Sequence, residues 1–133
     1  MSSNTVSEIM TRNVECVSPS QKIIDVKHIY EKKDFHHHIP VVENDMIVGM
    51  VSLIDFMRNI NNAGLDDDTP IYSELTVNDI MSTDPFFLSP SASIQEVARI
   101  LAKGEFHAVP VVVEGKVVGI VSTADVIRFY LDE

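Results

Sequence analysis

The spacing of apolar residues changes along the chain, and each change marks an element. From Lys22 to Lys33, Ile23, Val26, Ile29 and Tyr30 recur at helical intervals, which predicts a helix with one buried face. Phe35-His36-His37-His38 then leads into Ile39-Pro40-Val41-Val42, a short strand with a proline at its entry, where a missing N–H is tolerated. Glu43-Asn44-Asp45 predicts a hairpin turn, Met46–Val51 its return strand, and Asp55 to about Asn62 a closing helix. Upstream, Val6–Thr11 predicts at most a short amphipathic helical turn. Val14–Val17 predicts a brief extended piece ended by Ser18-Pro19-Ser20. Residues 61–76 carry Asn61-Asn62, Gly64, Asp66-Asp67-Asp68 and Pro70, and read as a linker.

After that linker the pattern restarts. Val77-Asn78-Asp79-Ile80-Met81 repeats Val6-Ser7-Glu8-Ile9-Met10 at an offset of 77 − 6 = 71. Ser89-Pro90-Ser91 repeats Ser18-Pro19-Ser20, and Ile94, Val97 and Ile100 repeat Ile23, Val26 and Ile29. From Pro110 onward the offset is 110 − 40 = 70, so the first half holds one extra residue in its histidine segment. A period near 70 residues predicts an α+β fold of two tandem β-α-β-β-α repeats. Each is too small for a secure core alone, so the pair is expected to pack about a pseudo-twofold axis. The expected boundaries are 1–62 for the first motif, 63–76 for the linker and 77–133 for the second motif.

The stretch that recurs with most chemistry is a strand-to-helix junction. Val117-Val118-Gly119-Ile120-Val121 is a β-branched strand after a turn at Glu114-Gly115, and Ser122-Thr123-Ala124-Asp125 opens a helix. Ser122 with Asp125 three residues on matches a capping box with an acid in the third position. Ser52 and Asp55 repeat it, and Ser93 with Glu96 forms another box, where the first half has Lys22. The free N–H groups at such a junction are also a natural place for an anion. On spacing alone the serines are helix caps and the aspartates are acids placed favourably at a helix N-terminus.

Composition narrows the function classes. A formal charge of −10 argues against a nucleic-acid backbone or an anionic membrane surface as main partner. A small phosphate ligand survives that argument, because backbone N–H groups and local positive charge suffice to hold it. Cys16 is the sole cysteine, which excludes an internal disulfide and favours a reducing, cytoplasmic setting. The start lacks the basic and apolar regions of a signal peptide, and the longest apolar run, around Val109–Val113, is too short to span a bilayer.

The series Val-x-x-Ile-Met, an apolar helix, His-x-Val-Pro-Val-Val and Val-x-Gly-Ile-Val-Ser-x-x-Asp resembles the cystathionine-β-synthase (CBS) domain. The ordered pair resembles a Bateman module and covers essentially the whole chain. The resemblance implies a regulatory module that binds adenosine-containing ligands (AMP, ADP or ATP, with S-adenosylmethionine or NAD as further candidates) in clefts between two motifs. It implies that Asp125 holds the ribose hydroxyls, that Ser122 and Thr123 sit by the phosphates, and that His107, Ala108, Val109 and Pro110 line the adenine. In the first copy the matching positions are Ser52, Asp55, His38, Ile39 and Pro40. Leu53-Ile54 replaces the polar Thr123 there, so the Asp125 site is expected to be the better one. The resemblance also implies a homodimer, for which Val126, Ile127, Phe129 and Tyr130 offer an apolar helix face, and a protein target that the sequence does not identify.

Other chemistry is sparse. Adjacent histidines in the extended segment His36-His37-His38 point to alternate sides, and no cysteine or acid completes a familiar zinc spacing, so a polar loop is expected rather than a metal centre. Asp66-Asp67-Asp68 lacks the alternating ligands, glycine and final glutamate of a calcium loop. Met10 and Met81, at equal repeat positions, read as core filler. No nucleophile motif, P-loop or dinucleotide glycine signature is present, so no enzyme activity and no required cofactor are expected. The competing function class is a protein-interaction or dimerisation module that binds no nucleotide, favoured by Leu53-Ile54 and by the few basic residues near either junction. Arg58 and Arg128, one turn beyond each aspartate, could supply charge if they face the clefts.

Overall fold

A computed structural model describes residues 4–32 and 37–132. After a single 3-10 turn at Val6–Glu8, helix α1 spans Ile23–Tyr30, strands β1 and β2 span His38–Glu43 and Met46–Ser52, and α2 spans Leu53–Ile60. Two short helices follow, α3 at Ile71–Glu74 and α4 at Val77–Ile80, then a two-residue strand β3 at Ser82–Thr83. The second half supplies α5 at Ile94–Ala102, β4 at Ala108–Val113, β5 at Lys116–Ser122 and α6 at Thr123–Leu131.

The two hairpins are built alike. Asn44 and Asp45 have φ of 52° and 68°, and Glu114 and Gly115 have 50° and 84°. Two consecutive left-handed residues match the twist of the flanking strands, which is why Asn, Asp and Gly serve there. Register runs from His38 opposite Ser52 to Glu43 opposite Met46, and from Ala108 opposite Ser122 to Val113 opposite Lys116. Both carry a bulge at the matching step, Val41/Val42 and Val111/Val112. Pro40 and Pro110 lie inside their strands, not at the entry. Each carbonyl accepts from an outer neighbour, Val17 N–H at 3.1 Å and Leu88 N–H at 3.1 Å. Since N and O of one strand residue point the same way, the missing proline donor falls on that outer side and spares the hairpin ladder. The expected first strand of each repeat is thus only a one-residue parallel bridge, Val17 to Val41 and Leu88 to Val111.

The chain divides into two compact units that cut across the sequence repeat: residues 15–85, and residues 1–14 with 86–133. In the first unit Val17, Ile23, Val26, Ile39, Val41, Val51, Phe56, Tyr72, Val77 and Ile80 form the core. In the second, Val6, Val97, Leu101, Val109, Val111, Val121 and Val126 do. The early helical turn therefore belongs to the core of the second motif's hairpin: Val6 N–H donates to Ala92 O at 2.9 Å and Ile94 N–H to Asn4 O at 3.1 Å. The later equivalent mirrors it, with Val77 N–H on Gln21 O at 2.8 Å and Ile23 N–H on Leu75 O at 3.0 Å.

The stretch read as a linker, residues 63–76, carries structure. Tyr72 is fully buried, stacks on Phe56 with ring centroids 6.2 Å apart, and donates its hydroxyl to Gly64 O at 2.7 Å. The Asp66-Asp67-Asp68 run, with Gly64 and Pro70 around it, concealed a single anchoring aromatic. On α6 the apolar face also differs from expectation: Val126 is buried and Phe129 is half-buried, while Ile127, Tyr130 and Leu131 are exposed.

Met10 and Met81 have a sharper role than filling space. A Cβ on Gly119 would lie 2.5 Å from Met10 Sδ and 3.0 Å from Thr11 O, and one on Gly49 would lie 2.7 Å from Met81 Sδ and 2.8 Å from Ser82 O. Glycine is needed because a neighbouring strand crosses there: Thr11 N–H donates to Ile120 O at 2.9 Å, and Ile120 N–H to Thr11 O at 3.0 Å. Gly119→Ala is expected to cost about 1–3 kcal/mol by overpacking. Met10→Ala should recover part of that loss in the double variant. Urea denaturation checks both, and a Gly119→Ala protein as stable as wild type would show that the crossing tolerates a methyl group.

Candidate functional site

The candidate site is the junction of β5 with α6. Ser122, in extended conformation, ends the strand and caps the helix. Its N–H donates to Asp125 Oδ2 at 2.8 Å, and Asp125 N–H donates to Ser122 Oγ at 3.2 Å. Asp thus performs the reciprocal bond that Glu usually makes. Thr123 N–H donates to His107 O at 3.0 Å, and the Thr123 hydroxyl donates to the same carbonyl at 3.4 Å. These bonds draw the start of β4, the end of β5 and the first turn of α6 together.

A cleft of about 390 Å³ lies beside this junction, lined by Ile9, Asp125, Arg128, Phe129 and Asp132. Of the residues expected from sequence, Asp125 lines it directly, and Ser122 and Thr123 stand within three positions of it. His107 is exposed, Ala108, Val109 and Pro110 are buried, and the Val109 side chain belongs to the core. Sequence reasoning missed Ile9, Phe129 and Asp132. The last two follow from Asp125 by helical spacing, whereas Ile9 arrives from the far end of the chain and leaves no local signal.

The first-motif junction is a close copy. Ser52 N–H donates to Asp55 Oδ2 at 3.3 Å, Asp55 N–H to Ser52 Oγ at 2.9 Å, and Leu53 N–H to His37 O at 2.8 Å. His37 is therefore the counterpart of His107, while His38, Ile39 and Pro40 match Ala108, Val109 and Pro110. Ile39 is buried in the core, Pro40 is buried, and His38 is half-buried. Tyr30 adds a hydroxyl where the second motif has Leu101: it donates to His37 O at 3.1 Å. Burial and the nearby Asp55 carboxylate push the Tyr30 phenol well above its usual pKa.

His36 lies outside the described residues. Among those described, the groups within reach of one metal ion are His28, Glu31 and Asp67, all exposed, with ligand atoms inside 4.8 Å of one another. A cation already occupies that cluster: the buried Lys27 Nζ lies 2.5 Å from Glu31 Oε2 and 2.6 Å from Asp67 Oδ1. Asp67, read from sequence as part of a solvated run, instead holds residues 63–76 against α1. The hydrogen bonds that Lys27 donates to Asp67 and then to Glu31 hold its ammonium above its ordinary pKa. In turn Lys27 and His28 hold the Asp67 carboxyl below its own. A depressed folded-state pKa means stability present above the unfolded value, roughly 4, and lost as pH falls through the folded one. Asp67→Asn is accordingly expected to be less stable than wild type at pH 7, with the gap closing below about pH 4. Chemical denaturation across that range checks it, and a gap that does not narrow at all as the pH is lowered through the acid range would assign the difference to something other than ionisation.

With fold and junctions described, comparison with known proteins gives the class. The CBS domain family model matches residues 6–62 and 77–132, so this chain belongs to the CBS domain family as a tandem pair. Solved structures agree. The chain superposes on a putative acetoin utilization protein (AcuB) from Vibrio cholerae with TM-score 0.83 and 25% identity, covering 98% of this chain and 93% of that one. It superposes on CBSX2 of Arabidopsis thaliana, in a complex with AMP, with TM-score 0.79 and 28% identity, covering 97% of each chain. Among curated sequences it is 35% identical over 129 residues to the uncharacterized protein MJ0188 of Methanocaldococcus jannaschii, covering 96% of this chain. It spans 44% of that relative's length. Among the described residues no helix is long and apolar enough to cross a membrane.

Proposed function

We propose that this chain is a regulatory module that binds an adenosine-containing ligand beside the Ser122–Asp125 junction, and that it acts on a partner and not as an enzyme. The observation that carries the reading is the cleft itself, which sets an acceptor carboxylate, a guanidinium and the apolar Ile9 and Phe129 side by side. A nucleotide needs these three features: acceptors for a ribose diol, positive charge for phosphate, and apolar surface for a base. The AMP complex of CBSX2, at 28% identity, supports the ligand class. Asp125 accepts from the ribose, Ser122 and Thr123 face the phosphate side, and Ser52 with Asp55 forms the second candidate site. Binding favours one packing of the module and so alters its contact with a target or with a second copy.

A second reading has its own observation. Ile54 and Met57 on α2 and Ile127, Tyr130 and Leu131 on α6 are exposed apolar side chains. They suit a module that works through protein contact, as a homodimer or with another protein, with or without a ligand.

Thermal unfolding with AMP, ADP, ATP, S-adenosylmethionine and NAD, and with GTP as control, separates the readings. At a hundred times the dissociation constant a ligand stabilises by about 2.7 kcal/mol, a rise on the order of 5–10 °C. An adenosine-containing ligand is expected to give that rise, and Asp125→Ala to abolish or sharply reduce it. No shift with any ligand would leave the protein-contact reading in its place.

A further inference from the structure

Asp125 and Asp55 occupy equal positions in the two motifs, yet their second oxygens differ. Asp125 Oδ2 accepts from Ser122 N–H, and its Oδ1 accepts from Arg128 Nη2 at 2.6 Å. Among the described residues Arg128 is the one cation lining the cleft, which also holds Asp132. Arg58, the first-motif equivalent, makes no ion pair with Asp55 among the described residues, and the Asp55 carboxylate accepts from Ser52 N–H at a longer 3.3 Å. The Asp125 side chain is 10% exposed while that of Arg128 is 67% exposed. The carboxylate is therefore fixed by its surroundings, and the guanidinium is a long arm tethered to it at one end.

We propose that Arg128 is the charge selector of the Asp125 cleft, exchanging its bond to Asp125 for a phosphate on the ligand. This rests on the reading of that cleft as an adenosine site. A guanidinium carries five donors in a fixed fork, and phosphate matches two of them where a single carboxylate oxygen uses one. The pair is open to solvent on its arginine side, where water competes for the guanidinium, so its exchange is cheap in free energy. Moving Arg128 onto phosphate also frees Asp125 Oδ1 to accept a ribose hydroxyl, so phosphate and diol binding reinforce each other. An unphosphorylated nucleoside lacks this reward, because it meets an Asp125 still held by Arg128. The wider charge distribution points the same way. Residues 15–85 hold 13 acids and 5 bases, a balance of −8, against 7 and 5, a balance of −2, for the unit that contains Asp125. An anionic ligand therefore meets less repulsion at Asp125 than at Asp55.

The test is isothermal titration of the full chain with AMP and with adenosine, in an Asp55→Ala background that leaves Asp125 as the candidate site. Arg128→Gln is expected to weaken AMP about three- to tenfold while adenosine binds equally well or more tightly. Loss of both ligands to the same extent, or an unchanged ratio between them, overturns the selector while leaving the adenosine site standing. Arg58→Gln is the control for overall charge, and an equal change of ratio from it would also overturn the proposal. Absence of binding by either ligand to the unsubstituted chain removes the adenosine site, and the selector with it. An unaltered melting temperature for Arg128→Gln shows that the comparison is made on folded protein.

Discussion

The crossing of one strand over a glycine is the constraint on which the rest of the fold depends. Thr11 and Ile120 exchange two backbone hydrogen bonds, with Met10 lying over Gly119. Ser82 and Thr83 pair with Met50 and Gly49 in the same way, with Met81 over Gly49. Because the crossing segment comes from outside its own repeat, neither repeat closes a core from contiguous sequence. Val6 completes the core around Val109 and Val121, and Val77 with Ile80 completes the one around Val41 and Val51. Duplication here is a structural requirement, since each half supplies the piece that the other lacks.

The same constraint places the cleft. Ile9 is carried in by the turn that ends at the crossing, so an apolar wall reaches Asp125 from more than a hundred residues away in sequence. The rest of the lining is local: Arg128 and Phe129 follow Asp125 along α6, and Asp132 caps its end. The Ser122–Asp125 box has two compatible duties. It satisfies donors at the start of α6, and it holds a carboxylate still at the edge of an open cleft. A fixed acceptor costs little ordering on binding, which makes a cap a sound base for a recognition site.

What was legible in the sequence follows the range of each interaction. The hairpins, their turns and the serine–aspartate boxes are set by residues no further apart than His38 and Ser52 or Ala108 and Ser122, and the repeat confirmed each reading by offering it twice. Three features were not legible. Tyr72 anchors residues 63–76 as a single aromatic within a polar stretch, with no periodicity to reveal it. The pairing of Asp67 with Lys27 joins positions 40 apart. The assignment of Val6 to the second hairpin depends on topology, which two equal copies of a motif leave undetermined. At the junctions the sequence distinguished Thr123 from Leu53, but not Arg128 bound to Asp125 from Arg58 apart from Asp55. That difference arises from side-chain placement and not from residue type.

The central claim is that the junction of β5 with α6 is a ligand site and not merely a well-capped helix. Backbone amide chemical shifts of the full chain, followed by NMR during titration with AMP, test it most directly. The account predicts that the amides of Ser122, Thr123 and Asp125 and those beside Ile9 and Arg128 shift progressively to saturation. Saturating shifts confined to another surface, or none at concentrations where related ligands bind, would contradict it.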